Sequence, residues 1–543
     1  MDSRKNIVFM ITVLFISAVH IADVYARITT KTSAKKPVRK TAPRKPSGQK
    51  VSAESVPAYP ATVTNNEFAI LLNASSTFDT TIGKFPTHNN RIEVIAGDNE
   101  QLQEKIVAQA KATYPLLHQN VRLFLEQFLH YKKQNGTSQE KALYATMNVQ
   151  QFLVRLLEQR PLMFMTENDQ YLLRSHGVSG YGGFETIGTA AERSPLILRD
   201  YLSYDEMAVA ALIGVSCPTY FINNGARDNR GIPAADGSYE REGIYAGLVG
   251  ARFEKPGYME WQHMIITPEQ NTQANGYGLT SSNQGLLGLW SNLYGEKFPT
   301  FAEAQSDRSG KYILLNNEFY FNTSVYKKRM RLSIEPFLVD AHNRAILQRS
   351  KAYVHVVGLG LGVWQIDKRQ AEYMLEVYAQ VLRENDLSYI SDIDFSWFGN
   401  VAQQYKDEMV RQDAARGIKV HFSQRNPADK LTGENFGKLL VAMYAWDGNA
   451  YPGNEYWAGM LTASGDPAAA CCSTIAELQN PKINHCIKNN IAQMFGVQTV
   501  SQNVLQQKPA AAATKKKSVA AKRTTRTTTR KKAPARNVRK TRR

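Results

Sequence analysis

Apolar residues recur at helical spacing in the first third of the chain, and form short runs bounded by Gly, Asn and Pro in the rest. Between about residues 99 and 160, Phe124, Phe128 and Tyr131 share one helical face, and Asn135 with Gly136 marks the end of that helix. No motif in these helices indicates chemistry. We therefore expect them to serve packing.

Four later apolar runs are predicted to be strands, and each is followed by a loop rich in Gly, Asn or Pro. They are residues 218–222, 261–266, 353–357 and 439–444. Strands that alternate with helices and end in such loops are typical of an α/β sheet with a ligand site at the strand ends. The predicted fold class is therefore α/β.

The net charge of +18 over 543 residues is concentrated at the two ends of the chain. Residues 27–50 contain nine Lys or Arg, residues 508–543 contain fifteen, and neither segment contains an acid. Because residues 1–26 are neutral, about −6 remains for residues 51–507. We expect the basic segments to be disordered. They either bind nucleic acid or another anionic surface, or act as solvated tethers.

The N-terminus is typical of a signal peptide. Arg4 and Lys5 precede an apolar run of thirteen residues, 7–19, and Ala26 provides a small residue for cleavage. The run is too short to span a bilayer comfortably, so no stable transmembrane anchor is expected. The prediction is an exported protein cleaved after residue 26, and the alternative is an uncleaved anchor.

A glycine-rich loop follows the predicted strand at residues 353–357. Gly358, Gly360 and Gly362 alternate with leucines, and Val363 and Trp364 come next. Glycines let the backbone N–H groups approach a phosphate closely. The loop lacks a Walker lysine and the full dinucleotide-binding spacing, so the alternative is a tight turn between a strand and a helix.

Polar residues also follow the predicted strand at 439–444. Asp447, Asn449, Asn454 and Glu455 lie in one loop with Tyr451, as in a sugar or nucleotide site. The alternative is a well-capped loop around core aromatics.

Other polar candidates are more scattered along the chain. Asn223 and Asn224 follow the first predicted strand, and Glu260 precedes the second. Alternation puts Asp392 and Asp394 on one strand face, where two carboxylates repel each other unless a polar group uses them.

Taken together, these stretches resemble the macrodomain family in its poly-ADP-ribose-glycohydrolase-like branch. VHVVGLGLGVW resembles the second phosphate loop of that family, and YAWDGNAYPGNEYW resembles its first strand and loop. The chain is also similar to the bacterial effector hydrolases related to MavL in a series of short stretches that occur in the same order. They are YGGFET, SYDEM, ALIGVS, FINNG, GLVGARFE and MEWQHMI. The resemblance covers about residues 175–495.

The sequence departs from the family pattern at three points. The usual triple glycine is replaced by Gly453-Asn454-Glu455, and the paired glutamates are absent where SGDPAAACC stands, at 464–472. The order of the two loops is also permuted. The catalytic acid of the family therefore cannot be transferred by position.

The resemblance implies a macrodomain-like mixed sheet flanked by helices, and a hydrolase that removes ADP-ribose from modified proteins, with arginine as one candidate linkage. Cleavage of a glycosidic bond needs a carboxylate, for which the candidates are Asp447, Asp394, Glu455 and Glu260. The expected ligand contacts are Gly358, Gly360 and Gly362 for the diphosphate, Asn449 and Asn454 for ribose hydroxyls, and Val363, Trp364, Tyr451, Asn223 and Asn224 around them. Neither a metal nor a cofactor is called for.

Two alternatives stay open from the sequence: a non-catalytic reader of ADP-ribose, and a nucleic-acid-associated protein that acts through its basic tails. The predicted organisation is a signal peptide at 1–26, a basic disordered linker at 27–58, a helical region at 59–170, an ADP-ribose-binding domain at 171–505 and a basic disordered tail at 506–543.

Overall fold

The computed structural model describes residues 65–496, apart from 176, 281–284, 400 and 463. The predicted signal peptide and both basic segments lie outside the described residues.

The strands of the described chain are short, and most belong to one sheet. In chain order they are β1 (Tyr114–Leu117), β2 (Met163–Met165), β3 (Gln170–Leu172), β4 (Ser179–Gly180), β5 (Ile213–Tyr220), β6 (Glu242–Val249), β7 (Ile265–Ile266), β8 (Tyr312–Leu315), β9 (Phe319–Asn322), β10 (Ala352–Val356), β11 (Ile390–Ser396), β12 (Lys419–Ser423) and β13 (Leu439–Trp446).

The α-helices range from one turn to seven. They are α1 (Asn65–Thr77), α2 (Ile92–Ala96), α3 (Glu100–Lys111), α4 (Gln119–Asn135), α5 (Ser138–Tyr144), α6 (Val149–Glu158), α7 (Tyr204–Ala210), α8 (Trp261–Met264), α9 (Leu286–Tyr294), α10 (Phe301–Ser306), α11 (Thr323–Leu347), α12 (Gln370–Glu384), α13 (Gln403–Arg416), α14 (Gly465–Cys472), α15 (Ile475–Leu478) and α16 (Cys486–Gly496). In the described chain, none of these helices is long and apolar enough to cross a membrane.

Seven strands form the main sheet in the order β1-β5-β6-β13-β10-β11-β12. The strands from β6 to β12 in this order are parallel, whereas β1 and β5 run antiparallel to their neighbours. All residues of β10 and nearly all of β13 are buried, as expected when helices cover both faces of a parallel sheet. This mixed sheet flanked by helices confirms the predicted α/β class.

The parallel strands bring their carboxyl ends to one edge of the sheet, called here the carboxyl edge. Trp446 of β13 pairs with Val249 of β6, and Val356 of β10 pairs with Phe395 of β11. The loops after these four strands therefore start side by side. The antiparallel β5 ends at the opposite edge, where Tyr220 pairs with Glu242.

Three of the four predicted strands exist, and the prediction of a strand at residues 261–266 is wrong. Residues 261–266 form helix α8 followed by the two-residue strand β7. Glu260, His263 and Met264 are buried at helical spacing, Ile265 and Ile266 of β7 are buried as well, and the His263 ring stacks on Phe298 at 5.5 Å between ring centroids. The partners of these side chains, and not the short apolar run, determine the local structure.

Candidate active site

Two loops meet closely at the carboxyl edge: the one after β6 and the glycine-rich one after β10. A Cβ atom on Gly250 would lie 2.6 Å from the backbone nitrogen of Gly360, and one on Gly360 would lie 3.1 Å from the carbonyl oxygen of Ala251. Gly360 also has a φ of +69°, a conformation that other residues rarely adopt. Both positions therefore require glycine.

The glycine-rich loop has a packed base and an open rim. Gly362 has no atom within 4 Å of its ideal Cβ position, and the side chain of Val363 is 86% exposed. Within the described chain, the N–H groups of Gly360 and Gly362 donate to no protein acceptor. Unpaired N–H groups on an open glycine loop are suited to binding an anion such as a diphosphate.

Asp447 is the first residue after β13, between these two loops in the sheet order. Its Oδ1 accepts hydrogen bonds from the backbone N–H groups of Asn449, at 2.7 Å, and Ala450, at 3.0 Å. Its Oδ2 is buried and has no partner among the described residues. Burial raises the pKa of this carboxyl to about 7, and the nearby Glu455 adds to the effect. One carboxylate oxygen is thus held in place while the other is left available.

Two more carboxyl groups lie beside Asp447. Asp466 accepts from the backbone N–H groups of Gly453 and Asn454, each at 2.7 Å, and Glu455 accepts from the Ser464 hydroxyl at 3.1 Å. Burial raises the pKa of Asp466 and of Glu455, and Asp466 is raised further by the charges of Asp447 and Glu455. The group can therefore hold a proton near neutral pH.

A buried ion cluster fixes the loops that carry these groups. Arg252 donates to Glu260 at 2.9 Å, to the carbonyl of Asp447 at 3.1 Å and to Asn449 at 2.7 Å. Glu260 binds Arg329 through its other oxygen at 3.1 Å, and Arg329 also donates to the carbonyl of Val249. Burial opposes ionisation of Glu260, but the two guanidinium groups outweigh it and lower its pKa. Through Arg252 and Arg329, Glu260 therefore fixes the Asp447 loop and the end of β6.

Comparison with known proteins identifies the family. A model of the ADP-ribosylhydrolase MavL-like family matches residues 70–508. Two proteins of Drosophila melanogaster are similar over most of the chain. ADP-ribosylarginine hydrolase CG3568 is 40% identical over 401 residues, which are 71% of this chain and 78% of the relative. ADP-ribosylarginine hydrolase CG2909 is 37% identical over 395 residues, which are 70% and 78%.

The chain belongs to the MavL-like ADP-ribosylhydrolase family. It is therefore a hydrolase that removes ADP-ribose from modified proteins by cleaving a glycosidic bond, and the predicted resemblance and enzyme class are confirmed.

In this MavL-like chain, three residues predicted to contact the ligand form hydrogen bonds with protein groups. Asn449 accepts from Arg252 and donates to Thr166, whereas Asn454 binds the backbone of Phe164 in both directions, at 2.8 and 3.2 Å. Tyr451 is fully buried and donates to a carbonyl at 2.6 Å. These side chains shape the Asp447 loop.

The Asp392–Asp394 pair lies deeper in the sheet. Asp394 is level with His355 of β10 and Ala442 of β13, five residues before Asp447. It accepts from the Tyr353 hydroxyl at 2.7 Å. Asp392 binds His421 at 2.9 Å and Lys438 at 2.5 Å. The structure does not bring Asp394 and Asp447 together.

The two asparagines after β5 lie at the opposite edge of the sheet. Asn223 donates to Asn229 at 3.2 Å, and Asn224 donates to Asp429 at 2.8 Å. Both also accept from backbone N–H groups two residues ahead, so their amides stabilise this loop.

Sequence reasoning did not select Asp466 and Arg160, which lie near Asp447, or Glu254, which lies after β6 near Thr166 and Trp364. The guanidinium of Arg160 lies 4.4 Å from the ring centroid of Trp446, and burial lowers its pKa to about 10. Arg160 comes from the helical region, where no signal pointed to a site. Glu254 lies in the stretch GLVGARFE, so its position after β6 could have indicated it.

In the part of the chain that the structure describes, no three His, Cys, Asp or Glu side chains are grouped so that they could hold a metal ion.

Proposed function

We propose that this enzyme removes ADP-ribose from arginine side chains and that Asp447 activates the attacking water. The arginine linkage is supported by the names of the two fly relatives. The role of Asp447 is supported by its position directly after β13 at the carboxyl edge and by its two unequal oxygens. Oδ1 is held by two backbone N–H groups, and the buried Oδ2 has no partner in the described chain.

The order of the strands supports one orientation of the ligand. The glycine loop follows β10, which lies between β13 and β11. A diphosphate bound by Gly360 and Gly362 would direct the distal ribose towards Asp447, on the β13 side. The adenosine would then lie towards Trp397, which follows β11. The side chain of Trp397 is 60% exposed, and its φ of +57° is unusual for a bulky residue. An exposed indole is suited to stacking on a base.

The chemistry requires one proton acceptor near the distal ribose. The oxygen of a water molecule bonds to the anomeric carbon while the bond from that carbon to the guanidino nitrogen breaks. Asp447 takes a proton from the water, and the nitrogen takes the bonding electron pair and ends with that proton. The ribose ring gains positive charge in the transition state, which ionised carboxylates stabilise. Products are free ADP-ribose and unmodified arginine.

A panel of substrates with known linkages tests the proposal. The full chain is incubated with peptides that carry ADP-ribose on arginine, serine or glutamate, and mass spectrometry follows the loss of ADP-ribose. We expect release from arginine alone. Binding of ADP-ribose without release from any peptide would favour the non-catalytic reader. Faster release from serine or glutamate would contradict the arginine linkage.

We also propose that the enzyme is exported and that its basic segments bind an anionic surface such as nucleic acid. Export is supported by the apolar run at 7–19 after Arg4 and Lys5, and binding of an anionic surface by the basic residues of 27–50 and 508–543. A reporter fused to residues 1–60 tests export, and removal of residues 508–543 tests binding. We expect the truncated chain to lose salt-sensitive DNA binding and to keep hydrolysis. Unchanged DNA binding would leave the segment as a tether.

A further inference from the structure

Glu254 lies between the glycine-rich loop and the Asp447 loop of the candidate active site. It is four residues beyond Gly250, whose backbone packs against Gly360. The carboxylate is close enough to Trp364 of the glycine loop and to the Thr166 hydroxyl for both to lower its pKa, although burial has the larger effect and raises it. Thr166 in turn contacts Asn449 of the Asp447 loop at 3.4 Å. The half-buried Glu254 thus has the glycine-rich loop on one side and the Asp447 loop on the other.

The basic residues around Glu254 are already engaged elsewhere. Lys255 binds Asp169 at 2.6 Å and the Tyr204 hydroxyl at 3.0 Å. Arg252 binds Glu260 and Asn449, although its charge also acts on Glu254 and lowers the pKa of that carboxyl. Within the described chain, Glu254 forms no ion pair, and the exposed Glu167 adds a second negative charge nearby.

A partly desolvated carboxylate without an ion-pair partner is unfavourable, so this position favours the arrival of a positive group. The group next to the distal ribose in an arginine-linked substrate is a guanidinium, whose planar donors match a carboxylate. A serine or glutamate linkage presents no cation there.

We propose that Glu254 binds the guanidinium of the modified arginine and thereby selects arginine-linked substrates. The inference rests on the proposed function of the same site. Glu254 recognises the leaving group, whereas Asp447 acts on water. Loss of Glu254 should therefore weaken substrate binding more than turnover.

The first test compares Glu254→Gln with wild type on an arginine-linked peptide. We expect KM to rise about 10- to 100-fold, which is the range for losing a charged hydrogen bond, with kcat changed less than about threefold. Affinity for free ADP-ribose should stay the same. Glu254→Asp keeps the charge and should recover part of the loss. Glu104→Gln, an exposed glutamate of α3, is the matched control.

The second test does not depend on hydrolysis. Arginine methyl ester is titrated by calorimetry into the chain saturated with ADP-ribose. We expect binding to wild type and to Glu104→Gln, and none to Glu254→Gln. Equal binding to all three, or a loss of kcat with KM unchanged, would overturn the role of Glu254. Failure of wild type to cleave the arginine-linked peptide while the ester still binds Glu254 would instead overturn the proposed function.

Discussion

Two sets of buried carboxylates, one within strand β11 and one directly after strand β13, differ in the groups that surround them. Asp392 is paired with His421 and Lys438, and these partners lower its pKa to about 2 although burial opposes this. Asp447 has two backbone N–H donors on one oxygen and no ion pair in the described chain, and its pKa rises to about 7. The same chemical group is thus a fixed charge in one place and a titratable base in the other.

This difference teaches that the spacing of carboxylates along a strand does not identify a catalytic group. Asp392 and Asp394 share a strand face, and His421 and Lys438 bind Asp392. Tyr353 binds one oxygen of Asp394, whose Oδ1, like Oδ2 of Asp447, has no partner among the described residues. Asp447 has no such partner because it lies where the strand ends.

The largest expected effect is that of Asp447→Asn on turnover. Losing a general base typically costs about 10²- to 10⁴-fold in rate, so kcat should fall by that amount, with ADP-ribose affinity nearly unchanged. Asp394→Asn should keep kcat within about threefold. Mass spectrometry of an ADP-ribosylated arginine peptide measures both. Equal losses in the two variants would remove the contrast.

Gly360→Val should weaken ADP-ribose binding at least about 100-fold, because the side chain would collide with the Ala251 carbonyl and disturb the loop. The matched control is Gly437→Val. Gly437 also has positive φ, at +79°, but has nothing within 4 Å of its ideal Cβ position. Calorimetry measures both variants. Undiminished binding to Gly360→Val would exclude the glycine loop as the diphosphate site.

The rate should rise about tenfold per pH unit up to about pH 7 and level off above it, because Asp447 must be ionised to accept a proton. The apparent value belongs to the coupled group of Asp447, Glu455 and Asp466. ADP-ribose binding over the same pH range is the control and should be flat. A rate that falls as pH rises from 5 to 7 would make the essential group an acid.

Trp397→Ala should weaken ADP-ribose binding about tenfold, as expected for one lost base-stacking contact, while affinity for ribose 5-phosphate, which lacks the base, stays the same. Val178→Ala, another exposed apolar residue, is the control. Equal losses for both ligands would argue against an adenine contact.

Stability should also change, and the sign of the change should differ between the two carboxylates. The folded pKa of Asp447 lies above the unfolded value near 4, so stability falls as pH rises from about 4 to 7. Asp447→Asn should therefore stabilise the fold at pH 8. The folded pKa of Asp392 lies below the unfolded value, so its contribution is present above about pH 4 and lost as pH falls through 2. Asp392→Asn should lower stability at pH 8 by about 2 kcal/mol.

Thermal melting at pH 8 measures both variants. Destabilisation by Asp447→Asn would mean that its two backbone contacts outweigh the cost of the buried charge.

The sequence predicts the parts of this site that one strand and its loop determine. Asp447 and the glycines follow apolar strands, and the order of the strands explains why their loops start next to each other at the carboxyl edge. The roles of Asn449, Asn454 and Glu260 could not be predicted, because their partners Arg252, Phe164 and Arg329 lie in distant segments. Periodicity shows which side chains are buried, but not which polar groups they meet.

The buried Arg252–Glu260–Arg329 cluster divides the site into a part that resists change and a part that tolerates it. Each member donates to or accepts from another, so losing one would leave an unpaired buried charge. Glu254, Val363 and Trp397 lie outside this cluster, at the rim. We therefore expect substrate preference to change through exchange of rim residues, while the buried cluster that fixes the Asp447 loop stays the same.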